Sequence, residues 1–339
     1  MTFTVLAQEL VPVLNNLVST KQIVNFTIIG DELKIQSFEP IINNVTLKLT
    51  KLNDSTGNNT ISFQLDGSFN LLEPGEVVFH IDEDSLLIAT PDYRSRFASV
   101  YEERFENAGK VVERAEVYVN AFPHISRISQ GISNIARSIG VDSPAVVFKN
   151  GKAYMVLSNL MWCMDAKFYD CILPVTHLRA LNRSLTKVKY DMELYGEERN
   201  YAGVKYTENA DLCFPIRRDN SETIATIEGI VAGLRKAGES TLVSLENQIK
   251  IVEKIYKNEP ITAYVGEGGF RVEISQGTSS FLSIGKQTTV NMLATLRTSV
   301  PVLSLIYRIF GDAVFEVYTG GRYVCLKKGK ECLLLTGLQ

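Results

Sequence analysis

Apolar residues recur along this chain in two rhythms, a period near 3.6 that predicts helices and a period of two that predicts short strands. The clearest helical stretch steps through Ile125, Ile128, Ile132, Ile135 and Ile139 at intervals of three and four. Helices are also predicted over Ala7 to Val18, Val175 to Leu185 and Leu245 to Lys257. A last one starts with Ser299 as N-cap and Pro301 in its first turn, buries Val302, Leu303, Ile306, Ile309 and Phe310, and ends at Gly311-Asp312. Three strands follow it, Val314 to Tyr318, Arg322 to Lys327 and Glu331 to Leu338, turned at Thr319-Gly320-Gly321 and Lys328-Gly329-Lys330.

This helix-plus-meander layout occurs twice upstream. One tract has a short, weak helix over Phe63 to Leu72, then strands Val77 to Ile81, Ser85 to Thr90 and Ser95 to Tyr101. The other has the helix from Val175, then strands Lys189 to Tyr195, Tyr201 to Tyr206 and Ala210 to Ile216. The starts at Phe63, Val175 and Ser299 lie 112 and 124 residues apart, the length of a whole domain and not of a solenoid unit. Each tract is preceded by a longer helix and further strands. Those are Thr2 to Val5, Ile23 to Ile29, Leu33 to Ser37 and Ile41 to Leu52 in the first third. The second third has Val111 to Asn120, a hairpin of Ala145 to Lys149 and Lys152 to Ser158 turned at Asn150-Gly151, and Ala166 to Leu173. The last has Ile261 to Val265, Phe270 to Ser275 and Ser280 to Ile284, and residues 219–240 read as a connector with a short helix over Ala225 to Leu234. The pattern therefore predicts an α+β chain of three tandem domains, 1–109, 110–239 with the connector, and 240–339.

Composition narrows the class. A chain of 339 residues with 22% charged and 45% apolar residues suits two or three soluble globular domains. No apolar run reaches the ~20 residues of a membrane span, and Met1-Thr2-Phe3-Thr4-Val5 lacks the character of a signal peptide. The five cysteines, Cys163, Cys171, Cys213, Cys325 and Cys332, form no CxxC pair and read as reduced core thiols of a cytoplasmic protein. Catalytic signatures are missing. His80, His124 and His177 have no Cys or carboxylate at ligand spacing, and no phosphate loop or nucleophile elbow occurs. Gly266-Glu267-Gly268-Gly269 sits between two strands and reads as a hairpin turn, and Asp82-Glu83-Asp84 as a solvated turn. The expectation is a protein that is no enzyme and uses no cofactor or metal.

Net charge is −3, yet the basic residues collect on helices. From residue 125 onward the predicted helices carry Arg127, Arg137, Arg179, Arg183, Lys187, Lys250, Lys254, Lys257 and Arg308, against Glu246 and Glu253. Arg179 with Arg183, and Lys250 with Lys254 and Lys257, fall on single helix faces. Such a surface suits phosphates bound without reading of bases, while the same pattern also fits solvated helix faces.

At this point the chain resembles the DNA sliding clamps, most closely the three-domain bacterial β clamp. Met1-Thr2-Phe3-Thr4-Val5 with Leu10, Leu14 and Leu17 is similar to that family's first strand and helix. Ser95-Arg96-Phe97 matches the strand that closes its first domain, Phe214-Pro215 with Arg217-Arg218 its aromatic-proline segment, and Leu333-Leu334-Leu335 with Leu338 its apolar ending. The resemblance covers nearly the whole chain in layout and fits a phage-encoded clamp as well as a cellular one. It implies three domains, each with two helices packed on antiparallel sheets, closing into a ring as a head-to-tail homodimer. The ring would encircle double-stranded DNA, bind it without sequence preference, be placed there by a clamp loader and tether a DNA polymerase. By position, Arg127, Arg137, Arg179, Arg183, Lys187, Lys250, Lys254, Lys257 and Arg308 would face DNA, with Lys21 in a loop near it. Phe97, Ile255 and Tyr256 would form the subunit contact, and Met161, Phe214, Pro215, Leu334, Leu335 and Leu338 a pocket for a partner's apolar peptide. This sequence departs from the family at Asn159-Leu160-Met161-Trp162, where bacterial clamps have a polar run; Trp162 could anchor that pocket or fill the core, and core is the preferred reading. The competing readings are a DNA polymerase processivity factor that forms no ring, and a β-rich phage structural or interaction protein.

Overall fold

The computed structural model describes residues 1–17, 22–38, 40–54, 59–100, 110–142, 144–196, 198–218, 222–242, 245–256, 259–276, 280–285 and 291–336. The chain begins with β1 (Thr2–Leu6), α1 (Ala7–Leu17), β2 (Ile23–Ile29), β3 (Glu32–Ser37), β4 (Ile42–Lys48), β5 (Lys51–Asp54) and β6 (Thr60–Gln64). A 3-10 turn (Gly67–Leu71), β7 (Glu76–Ile81), β8 (Ser85–Ala89) and β9 (Arg94–Ala98) follow. Next come β10 (Val111–Tyr118), α2 (Phe122–Ser138), β11 (Val146–Lys149), β12 (Lys152–Leu157), β13 (Leu160–Asp165) and β14 (Cys171–Leu173). Then α3 (Val175–Ser184) leads to β15 (Lys189–Tyr195), β16 (Tyr201–Thr207), β17 (Ala210–Pro215), α4 (Thr223–Gly233) and β18 (Arg235–Ser240). The last stretch has α5 (Glu246–Tyr256), β19 (Pro260–Gly266), β20 (Gly269–Gln276), β21 (Ser280–Gly285) and β22 (Met292–Ser299). It closes with α6 (Val300–Phe310), β23 (Phe315–Gly320), β24 (Tyr323–Lys328) and β25 (Glu331–Thr336). The chain is α+β, as its periodicities predict.

The chain folds as two compact units, residues 1–117 with 179–216, and residues 118–178 with 217–339. The first unit holds a sheet ordered β5-β1-β7-β8-β9 and a sheet ordered β10-β15-β16-β17-β4-β3-β2-β6. The larger sheet joins strands from two thirds of the sequence, because β17 pairs antiparallel with β4 from Ala210↔Val45 to Cys213↔Ile42. Asn44 Nδ2 donates to Asp211 Oδ2 at 2.9 Å across that seam. The core of this unit is aromatic: Phe3 stacks on Phe79 with centroids 5.1 Å apart, and Phe63 meets Phe26 edge to face at 4.9 Å.

The second unit holds a sheet ordered β14-β11-β12-β13-β25-β24-β23-β18 and a sheet ordered β21-β20-β19-β22. Here β13 pairs antiparallel with β25, from Leu160↔Leu335 to Cys163↔Cys332. Helix α6 packs against both α2 and α5. At Gly131 a Cβ would come within 3.1 Å of Leu305 Cδ1, so the missing side chain is what lets α2 and α6 approach so closely. Ile125, Ile128, Ile132 and Ile135 are buried beneath α2, each contributing on the order of 2 kcal/mol of transfer free energy.

The structure alters several of the expected elements. The strand expected over Ile41 to Leu52 is two strands, because the chain leaves one sheet after Lys48 and pairs with β1 as β5. The helix expected over Phe63 to Leu72 shrinks to a single 3-10 turn, capped by Asp66 accepting from the Ser68 amide, and its first residues belong to β6. Ile139 follows the end of α2 and is 50% exposed, so it does not continue the buried stripe. Asn150-Gly151 turns the hairpin with φ of 52° and 74°, the left-handed pair a type I′ turn requires. No described helix is long and apolar enough to cross a membrane.

Candidate nucleic-acid face and docking pocket

The basic helices of the second unit are as poor in acid as the sequence suggests. Helix α2 carries Arg127 and Arg137 and no acidic residue, and α6 carries Arg308 and none. Both arginines of α2 are exposed, as are Lys250 and Lys254 on α5. Some of these cations are engaged within the chain: Arg308 Nη2 lies 3.5 Å from Glu253 Oε1, and Arg127 Nη2 donates to His124 Nδ1 at 3.0 Å. Because arginine only donates, that contact fixes His124 Nδ1 as acceptor and leaves Nε2–H to donate to Glu331 Oε1 at 2.8 Å. The same Glu331 oxygen accepts the Trp162 indole N–H at 2.8 Å. Trp162 is fully buried, so it is core, as its sequence context predicts. On α3, Arg179 is half-buried and Arg183 exposed, and Lys187 just beyond is exposed. Lys21, Lys257 and Leu338 lie outside the described residues.

The histidines need correction. His80 and His124 do have carboxylate partners: Asp82, two residues on, at 2.7 Å, and Glu331, far off in the sequence, at 2.8 Å. His177 is held below its ordinary value by burial. Among the described residues no group of three or more His, Cys, Asp or Glu could hold a metal ion. The cysteines are free thiols, with Cys325 Sγ and Cys332 Sγ 3.3 Å apart.

Three of the expected pocket residues come together in the second unit. Side chains alternate along β13 and β25, so Met161 and Leu334 lie on one face while Trp162 lies on the other, toward α2. Met161, Leu334 and Leu335 line a cavity of about 120 Å³, with Val156, Tyr323 and, from α4, Ile227 and Ile230. A neighbouring cavity of about 210 Å³ shares Leu160 and Leu335 and adds Arg297, Thr298 and Val302. Phe214 and Pro215 sit on β17 in the first unit, Phe214 buried and Pro215 exposed. Of the expected subunit-contact residues, Phe97 is buried among Phe63 and Phe69 under β9, the edge of its sheet. Ile255 is 62% exposed on α5 and Tyr256 half-buried.

The residues that sequence reasoning passed over belong to α4. Its sequence, Thr-Ile-Ala-Thr-Ile-Glu-Gly-Ile-Val-Ala-Gly, is too apolar for a solvated connector, and that was the available signal. Ile224, Ile227, Ile230 and Val231 pack on the face that holds Tyr154, Met161, Cys325 and Leu334. The one acid of the helix, Glu228, accepts from Tyr154 Oη at 2.5 Å and from Lys152 Nζ at 3.1 Å. The Tyr154 hydrogen bond holds the Glu228 carboxyl below the usual carboxylate range, helped by Lys152. Burial, and then the bond to Glu228, pushes the Tyr154 phenol up.

No family model matches this sequence, and no curated protein matches it. Solved structures do. The DNA polymerase III subunit beta of Pseudomonas aeruginosa superposes with a TM-score of 0.72 at 11% identity, covering 100% of both chains. A Helicobacter pylori β clamp in complex with 5-chloroisatin gives 0.72 at 12% identity, again over 100% of both. A P. aeruginosa DNA polymerase sliding clamp gives 0.73 at 11%, covering 100% of this chain and 99% of the other. The chain has the β sliding-clamp fold. Within that fold the acid-poor helices α2, α3 and α6 and the cavity between α4 and the β13–β25 seam are the features with chemistry to offer.

Proposed function

We propose that this chain is a DNA sliding clamp. Three domains, 1–109, 110–239 and 240–339, close head to tail with a second copy into a ring, and the ring encircles duplex DNA and tethers a DNA polymerase after a clamp loader has placed it. The observation that carries the reading is the end-to-end match to bacterial β clamps at TM-scores of 0.72–0.73, supported by arginines on α2, α3 and α6, helices that carry no acidic residue. In this reading Arg127, Arg137, Arg179, Arg183, Lys187, Lys250, Lys254 and Arg308 meet phosphates, and Lys21 and Lys257, outside the described residues, are proposed for the same task. Contacts of that kind position the ring and read no bases, so it slides, and topology keeps it on the duplex. The protein catalyses nothing.

The subunit contact pairs the β9 edge above Phe97 with the α5 end at Ile255 and Tyr256. Ile251, one turn earlier, is 56% exposed beside Ile255 at 62%, an apolar pair that a partner would cover. Partner proteins place an apolar peptide in the cavity lined by Met161, Leu334 and Leu335. The test is topological. With the cognate loader, the protein should remain on nicked circular DNA through gel filtration and leave after linearisation. A stable monomer with no such dependence would favour a processivity factor that forms no ring.

A further inference from the structure

Three of the five cysteines, Cys163, Cys325 and Cys332, meet in the second unit on strands β13, β24 and β25. Cys163 and Cys332 are direct register partners across the β13–β25 seam, whereas Cys325 pairs with Leu334 and so lies diagonal to Cys332. The Cys332 thiol is hydrogen-bonded to both neighbours, with Cys325 Sγ 3.3 Å away. Cys325 and Cys332 are buried and Cys163 is half-buried, so a small neutral oxidant reaches Cys163 first. Contact between sulfurs does not by itself choose a pair. Directly opposed residues of an antiparallel ladder hold their Cα atoms about 4.5–5.5 Å apart, inside the ~4.4–6.8 Å that a disulfide spans. Diagonal residues sit about 7–8 Å apart, so joining Cys325 to Cys332 requires the backbone to move.

We infer that Cys163 and Cys332 are an oxidative modification site: hydrogen peroxide converts the two thiols into a cross-strand disulfide that locks the β13–β25 seam. The Cys163 sulfur attacks one peroxide oxygen and the O–O bond breaks. The other oxygen leaves as water with the thiol proton, and Cys163 becomes a sulfenic acid. The Cys332 sulfur then attacks the Cys163 sulfur, the S–S bond forms and the S–O bond breaks, and the hydroxyl leaves as a second water with the Cys332 proton. The thiols lose two electrons and two protons, and peroxide is reduced to two waters. The Cys163 thiol is pushed up by its hydrogen bond to Cys332 and then by burial. Because the thiolate is the nucleophile, the conversion is slow at neutral pH and answers sustained peroxide. Within this unit the seam joins residues 118–178 to residues 217–339, so the new bond ties two distant stretches of chain covalently, and a dithiol reductant reverses it. The site stands whether or not the chain forms a ring.

The test treats the full-length protein with millimolar hydrogen peroxide, alkylates it under denaturing conditions and maps its peptides by mass spectrometry. Free thiols should fall from five to three per chain, with Cys163 and Cys332 recovered in one disulfide-linked peptide pair, and dithiothreitol should restore all five. A bond between residues so far apart in sequence constrains the unfolded chain, so the oxidised protein should melt several degrees higher. Cys325→Ser should oxidise as the wild type does, while Cys163→Ser should keep every remaining thiol. A mapped Cys325–Cys332 link, a loss of two thiols in Cys163→Ser, or a wild-type protein that keeps all five overturns the inference. So does oxidation that stops at a Cys163 sulfinic acid, or an oxidised protein that melts no higher. Mapping of the wild-type protein decides the pair even where a serine variant fails to fold.

Discussion

Neutralising the basic helices should change how DNA binding responds to salt. Arg127 and Arg137 on α2 and Lys250 and Lys254 on α5 are exposed cations in one compact unit, and replacing all four with glutamine removes no buried group. Removing one phosphate contact should lower the slope of log K against log salt by about 0.9. Four such removals lower it by about 3.6, so between 50 and 200 mM salt the wild type should weaken by roughly 100-fold more than the variant. Arg127 gives one N–H to His124 but keeps its charge and its other donors, so it still counts as a phosphate contact. The assay is anisotropy of a labelled 30-base-pair duplex across that salt range. A control variant with Lys48, Lys205 and Lys328 neutralised, exposed cations on strands β4, β16 and β24, should leave the slope alone. Equal slopes for wild type and the helix variant, or a larger effect from the strand variant, would refute the assignment of the helices as the DNA face.

Ile255→Glu places a charge on an exposed apolar position of α5. It should shift the mass by light scattering from about 76 kDa, twice the 37.8 kDa chain, to that of a monomer with an unchanged melting profile; a persistent dimer would remove Ile255 from the contact. Trp162→Phe deletes the indole donor to Glu331 and should cost about 1.5–3 kcal/mol in urea denaturation, the range for a hydrogen bond to a charged group. His177 has a folded-state pKa below its ordinary 6.5 because burial disfavours the cation. The unfolded chain therefore takes up the proton first as pH falls, and stability present above pH 6.5 should decline below it. His177→Gln should flatten the stability profile between pH 7 and 5, and an unchanged slope would show that other groups set it.

How much of this was legible in the sequence depended on how many faces of an element meet water. Helices α2, α3 and α5 each bury one stripe, and their spacing of isoleucine and leucine located them to within a few residues; α6 is buried nearly all round and was located by its Ser299-Pro301 start and Gly311 end. Two-sided elements were harder. Strand β13, Leu-Met-Trp-Cys-Met-Asp, is covered by α2 on the Trp162 face and by α4 on the Met161 face, so it reads as an apolar run without the alternation that marks a half-exposed strand. Strand β18, Arg-Lys-Ala-Gly-Glu-Ser, fails for the opposite reason: it is an edge strand that buries little besides Ser240 and owes its existence to pairing with β23. The seams β4·β17 and β13·β25 bring together residues more than 150 positions apart, and no local pattern encodes them. The pocket shared that fate. Met161, Leu334 and Leu335 were found only through a family likeness. The α4 wall departs from a plain linker and could be found only from its composition, six apolar residues counting Ile, Val and Ala plus two glycines in a segment that ought to be solvated. A connector that apolar must cover something, and what it covers here is the β13–β25 seam where Met161 and Leu334 meet. The fold is shared at identities near 11% because it asks for stripes and alternation, which many side chains satisfy.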